Sequence, residues 1–153
     1  MKIYEGSYSC SNSRFVIVLS KYNEFIGQKL LDGAIDCLRQ YECPEDNIDL
    51  VKVPGAYEIP LAAAKLAEKN IYSAIICLGA VIRGATPHFD FVAQAASNGI
   101  SKISLKFKIP ISFGVLTTNN VEQAVERSGT KAGNKGWEAA LTAIEMADLM
   151  TKI

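Results

Sequence analysis

Ala74-Ile75-Ile76-Cys77-Leu78-Gly79-Ala80-Val81 carries no charged residue and no strongly polar side chain. A short run that is apolar at every position, rather than at every second one, reads as a strand buried on both faces. That is the pattern of a parallel sheet with helices on each side. The wider nearly apolar stretch, Ile71 to Ile82, ends at Arg83 and is too short to cross a bilayer.

Working outward, Phe15-Val16-Ile17-Val18-Leu19 is a second run of this kind, and Ile48 to Val53 and Ile111 to Leu116 complete four strands. Between the first two, Ile26, Leu30, Leu31, Ala34, Ile35, Leu38 and Tyr41 recur at helical spacing. This predicts an amphipathic helix over about 24–41, with Asn23 as its N-cap. Pro54-Gly55 closes the second strand, and an alanine-rich helix follows over about 58–68 with Pro60 in its first turn. Thr86-Pro87-His88 reads as N-cap, first and second residues of a helix running to about Ile103. Two more helices are expected near 121–128 and 136–151, split by the segment 129–136. The order β-α-β-α-β-α-β-α-α predicts an α/β fold, one domain over 1–153 with residues 1–14 as an N-terminal arm. In such sheets ligands bind beyond the carboxyl ends of the strands, so the loops after residues 20, 53, 81 and 116 are the places to look.

The balance of the 153 residues excludes several functions. Sixteen basic residues offset sixteen acidic ones, so no charge excess advertises nucleic acid or an anionic membrane. The opening residues lack the apolar core of a signal peptide, and a cytoplasmic protein is expected. Cys10, Cys37, Cys43 and Cys77 form no C-x-x-C pair and His88 is the single histidine, so no metal site is expected. The cysteines read as reduced thiols. There is no G-x-G-x-x-G, no G-x-S-x-G, and only a superficial P-loop likeness at 129–134, where Asn134 stands in the lysine position.

Several local patterns can carry chemistry, each with a plainer alternative. Arg83-Gly84-Ala85-Thr86-Pro87-His88 joins a glycine to a helix start, where unpaired N–H groups and the positive end of the dipole suit an anion. The same pattern also makes an ordinary strand-to-helix turn. His88 can take up and release a proton near neutral pH, with Asp90 two residues on to orient it or to stabilise the first helical turn. The backbone of Pro54-Gly55-Ala56-Tyr57-Glu58 can hold a polyol or a flat heterocycle, or merely begin a helix. Tyr22 can stack on a ring or simply pack. Arg127, Lys131 and Lys135 form a basic cluster fit to complete an anion site, or a solvated loop.

Four segments in order resemble the lumazine synthase family. They are 53–60 (Val53-Pro54-Gly55-Ala56-Tyr57-Glu58-Ile59-Pro60), 78–90 around Arg83-Gly84-Ala85-Thr86-Pro87-His88, 113–118 (Phe113-Gly114-Val115-Leu116-Thr117-Thr118), and 123–136 ending Gly133-Asn134-Lys135-Gly136. The likeness spans about residues 15 to 150. It implies a flavodoxin-like three-layer αβα sandwich around a central four-stranded parallel sheet, and a cofactor-independent condensation of 5-amino-6-(D-ribitylamino)uracil with 3,4-dihydroxy-2-butanone 4-phosphate. By that resemblance the pyrimidine side is held by Tyr22, Ala56, Tyr57, Glu58, Ala80, Val81, Ile82, Phe113 and Lys135. The keto-phosphate is held by Ala85, Thr86 and Arg127, and His88 transfers protons. The resemblance further implies that Phe113 comes from a neighbouring subunit and that the arm packs on one. The implied partners are further copies of the chain, as a pentamer or an icosahedral 60-mer, with riboflavin synthase as a further candidate. Two rival readings stand beside it: a non-catalytic flavin-binding or shell-forming relative, and a riboflavin synthase of this fold. Tyrosine at 22, where the family often has phenylalanine or tryptophan, keeps the ring, and Pro87 falls at a variable position.

Overall fold

The computed structural model describes residues 1–129 and 133–153. Thr130, Lys131 and Ala132 lie outside the described residues, and with them the Lys131 member of the basic cluster. The elements run β1 (Phe15–Ser20), α1 (Glu24–Gln40), β2 (Ile48–Val53), α2 (Ile59–Glu68), β3 (Ala74–Ile82), α3 (His88–Phe107), β4 (Ile111–Thr118), α4 (Val121–Arg127) and α5 (Lys135–Met150). Short 3-10 turns at Glu45–Asn47 and Ala56–Glu58 precede β2 and α2.

The strands form one sheet in the order β2-β1-β3-β4, and every pairing is parallel. Phe15, Ile17 and Leu19 of β1 enter a core shared with α1 and α5, whereas Val16 and Val18 enter one shared with α2 and α3. The alternation of side chains along a strand thus builds the two faces of an αβα sandwich. β3 lies between β1 and β4 and is buried from Ala74 to Val81, as its unbroken apolar run requires.

Local chemistry moves some boundaries. α3 runs to Phe107, past the expected end, because Phe107 still packs on the α2/α3 core. The helix stops where Lys108 turns left-handed at φ 51°, a stop usually marked by glycine and so not readable here. It starts with Pro87, not Thr86, in the capping position, and no side chain caps it. Asn23 holds the expected N-cap position of α1, but its side chain does not cap the helix. Asn23 is left-handed at φ 59°, and its amide donates to the Ala80 carbonyl at 3.1 Å instead of capping α1.

Cys37 and Cys77 are free and buried, but Cys10 and Cys43 are joined in a disulfide with Cα atoms 4.9 Å apart. The expectation of four reduced thiols is therefore corrected for this pair. The fold folds residues 5–10 of the arm back on their own chain. Ser7 donates to Asp148 of α5 through its backbone N (2.6 Å) and its hydroxyl (2.8 Å), and the rings of Tyr8 and Tyr41 meet at 5.3 Å. With Lys152 at 2.6 Å as well, these donors hold the Asp148 carboxyl down at about 2. No helix among the described residues is long and apolar enough to cross a membrane.

α1 and α5 come into close contact where Gly136 meets the backbone of Leu30, and a Cβ at 136 would collide with the Leu30 carbonyl oxygen. Beside this contact, Asn134 is almost wholly buried. Its side-chain oxygen accepts from the backbone N–H groups of Gly136 (2.8 Å) and Trp137 (3.1 Å), and its amide donates to the carbonyls of Lys29 (2.9 Å) and Gly129 (3.1 Å). Because backbone atoms cannot move aside as a flexible side chain can, Gly136→Ala is expected to lower stability by about 1–3 kcal/mol, the usual range for overpacking. Urea unfolding followed by circular dichroism measures it, and a variant as stable as the parent would show that the two helices separate at little cost.

Candidate functional site

The crevice at the top of the sheet forms where the chain order reverses. β1 and β3 are neighbours, but the chain leaves β1 for β2 on one side before crossing to β3 on the other. Such switch points open a gap between loops that run apart. Three loops wall a cavity of about 500 Å³: Tyr22 and Asn23 after β1, Gly55 to Glu58 after β2, and Val81, Ile82 and His88 at the end of β3 and the start of α3, with Val92 behind.

Backbone hydrogen bonds set these walls. Lys21 and Tyr22 donate their N–H groups to the Val53 carbonyl (2.8 Å) and the Pro54 carbonyl (3.1 Å), which lays Tyr22 against the second loop. Its ring covers Gly55 so closely that a Cβ there would come within 2.7 Å of Cδ2, yet Tyr22 remains 67% exposed. Gly55 is thus the residue that lets the ring lie close against the loop. Tyr57 is also exposed, and the two rings give the cavity an aromatic rim. Glu58 accepts from the Gly55 N–H through Oε2 at 2.9 Å, so its helix-starting role is real, while a carboxylate retains further lone pairs for a second donor.

Asn23 was foreseen only as a cap, and it turns out to be part of the wall. Its left-handed backbone frees the side chain to reach Ala80. Ala80 itself is buried, and its carbonyl holds the Asn23 side chain. Of the anion loop, His88 reaches the cavity, whereas Ala85 and Thr86 are exposed on the loop outside its lining. Asp90 does not turn to His88. Its carboxylate pairs with Arg83 at 3.4 Å. A Cβ placed on Gly84 would meet nothing within 4 Å, so no packing within the chain demands glycine there.

Phe113, Arg127 and Lys135 come together elsewhere. They line a second cavity of about 380 Å³ between the open edge of β4 and α5, with Ser112, Glu138 and Thr142 among its other walls. Among the described residues the two cavities share no lining residue. Thus Arg127 lies with Phe113 and Lys135 in a cavity whose lining includes neither His88 nor the Ala85–Thr86 loop. Lys135 is paired with Glu138 at 2.6 Å, a partner in the next helical turn that sequence reasoning had not singled out. The Ser112 hydroxyl is buried and has no hydrogen-bond partner among the described residues. Neither free thiol is a candidate nucleophile: burial pushes both Cys37 and Cys77 up to about 12 and keeps them protonated. No group of three or more His, Cys, Asp or Glu residues suited to a metal ion occurs among the described residues.

Both cavities fall inside a single sequence match. A family model described as 6,7-dimethyl-8-ribityllumazine synthase matches residues 12–151, from the approach to β1 to the end of α5. The chain therefore belongs to the 6,7-dimethyl-8-ribityllumazine synthase family.

Proposed function

We propose that the protein condenses 5-amino-6-(D-ribitylamino)uracil with 3,4-dihydroxy-2-butanone 4-phosphate, releasing phosphate and water, at a site completed by a neighbouring copy of the chain. The observation that carries this reading is the division of the site residues between two cavities on one chain, each incomplete for the reaction. The first offers an aromatic rim, a carboxylate and an imidazole but, among the described residues, no lysine or arginine in its lining; the second offers Arg127, Lys135 and a half-exposed Phe113. Head-to-tail contacts bring two different patches together and close into rings. In such a ring the exposed start of the arm, residues 1–4, also has a neighbour to reach.

The chemistry follows from what each wall supplies. The uracil ring lies on Tyr22, with Ala56, Tyr57 and Glu58 along the ribityl chain and Ala80, Val81 and Ile82 beneath. The neighbour closes the site with Phe113 and Lys135. The phosphate sits between the Ala85–Thr86 loop, at the N-terminal end of α3, and the neighbour's Arg127 guanidinium. The uracil amine attacks the ketone, and loss of water gives an imine joining the two substrates. Phosphate then leaves, and the ribityl-bearing nitrogen closes the ring with loss of a second water. His88 moves protons at the carbonyl oxygen and the carbon acid. Both reacting groups belong to substrates, so holding amine and ketone together supplies much of the acceleration, and proton transfer adds roughly 10²–10⁴-fold.

Incubating the protein with both substrates and following lumazine fluorescence tests the activity. An inert protein would remove this reading, and a protein that instead dismutates lumazine would replace it with riboflavin synthase chemistry. The shared site has its own test. His88→Ala and Arg127→Ala chains, each impaired alone, are co-refolded in equal amounts. Random mixing leaves about a quarter of head-to-tail interfaces with both walls intact, and activity should rise accordingly. Phe113→Ser mixed with Arg127→Ala should show no gain, because both changes fall on the same wall. Hetero-oligomers without rescue in the first mixture would place the whole site within one subunit.

Gly84→Ala separates ligand contact from packing. Since the added methyl meets nothing in the chain, stability should hold or rise by about 0.4–1 kcal/mol as the unfolded chain loses freedom. The KM for the keto-phosphate should nevertheless rise several-fold, with that for the pyrimidine little changed. An unaltered KM for the keto-phosphate would show that the phosphate does not approach the 84–86 backbone.

A further inference from the structure

Arg83 is in the lining of neither cavity, yet it ties the start of α3, which carries His88, to the turn between β4 and α4. It follows β3 directly. Its backbone N–H donates to the Thr118 carbonyl at 2.9 Å, extending the β3–β4 pairing by one residue beyond Ile82 and Thr118. Its guanidinium then spreads over three groups. Nε donates to Oδ1 of Asn119 at 3.2 Å, Nη2 faces Oδ1 of Asp90 at 3.4 Å, and the carbon centre lies 4.3 Å from the ring centroid of Phe89. Asn119 immediately precedes Asn120, the N-cap of the helix that ends in Arg127. Phe89 and Asp90 immediately follow His88 in the first turn of α3.

From this geometry we propose that Arg83 is a positioning residue for the keto-phosphate, holding the 84–88 loop at both of its ends. At one end it is anchored to β4 and the turn into α4; at the other it grips the first turn of α3. The intervening Gly84, Ala85, Thr86 and Pro87 are exposed, and Gly84 has no neighbour that would fix it. A loop so lightly packed keeps its N–H groups aimed at one point only if its ends are fixed. A planar fork against a ring does this, and a lysine cannot, because a compact ammonium lacks the fixed, wide spread of donors and stacks less well. The inference rests on the proposed condensation and deepens it: Arg83 acts on phosphate through the loop and not by touching it. The ion pair itself is half exposed, so its value is in geometry and not in fold stability.

The test is steady-state kinetics on the intact assembly with both substrates. Arg83→Ala should raise the KM for the keto-phosphate about ten-fold, leave that for the pyrimidine within about two-fold, and shift the unfolding midpoint little. Arg83→Lys should recover only part of the loss. Asp90→Asn, which removes the charge of the far anchor while retaining its size, should reproduce part of the same KM change, and the double variant Arg83→Ala/Asp90→Asn should be no worse than Arg83→Ala alone. Normal kinetics for Arg83→Ala in a protein that makes lumazine overturn the inference and leave the condensation standing. A large effect of Arg83→Ala with a silent Asp90→Asn also overturns it, in favour of direct contact with phosphate. Equal loss for both substrates together with a lowered unfolding midpoint would make Arg83 a structural residue only. A parent protein that forms no lumazine overturns the condensation and this inference together.

Discussion

Everything at the top of this molecule depends on β3 being covered on both faces and paired on both edges. A strand in that position has no water to satisfy a polar side chain, so each position from Ala74 to Val81 must be apolar or small. Its two edges pair with β1 and β4, and so the ends of three strands are held in register. The register brings Ser20 beside Gly79, where a larger residue would strike the serine hydroxyl. The floor under Ala80 and Val81 is fixed by these contacts, and the loops above inherit their positions from it.

Those loops are placed mostly by backbone hydrogen bonds and by side chains that never reach a ligand. Lys21 and Tyr22 are tied to Val53 and Pro54, Asn23 to Ala80, Glu58 to Gly55, and Arg83 to Asn119 and Asp90. On the opposite face, Asn134 ties the segment after α4 to α1 and starts α5, which fixes Lys135 beside Glu138. The result is a hydrogen-bonded frame from which Tyr22, Tyr57, Phe113 and Arg127 stand exposed. The N-terminal arm is treated differently. Residues 5–10 are secured to α5 by Ser7 and Lys152, and to the loop after α1 by the Cys10–Cys43 disulfide, while residues 1–4 remain outside.

The order of strands and helices and the all-parallel sheet were legible in the sequence. Buried strands need unbroken apolar runs and half-buried helices need a 3.6-residue period, and both are properties of neighbouring residues. The family was equally legible, because its motifs are contiguous loops at strand ends. Three-dimensional arrangement alone decided the rest. The pairing of Cys10 with Cys43 spans 33 residues and follows from the arm folding back, which no spacing rule encodes. Asn23 has the composition of a cap, but a left-handed backbone turned its side chain toward β3. Asp90 lies two residues from His88, yet a helix carries such neighbours to different faces, and Arg83 across the loop claimed it. The separation of Arg127, Phe113 and Lys135 from His88 is of the same kind: residues whose motifs follow one another along the chain lie on different walls, because β4 and α5 face an open edge of the sheet while the first three strands close over the crevice.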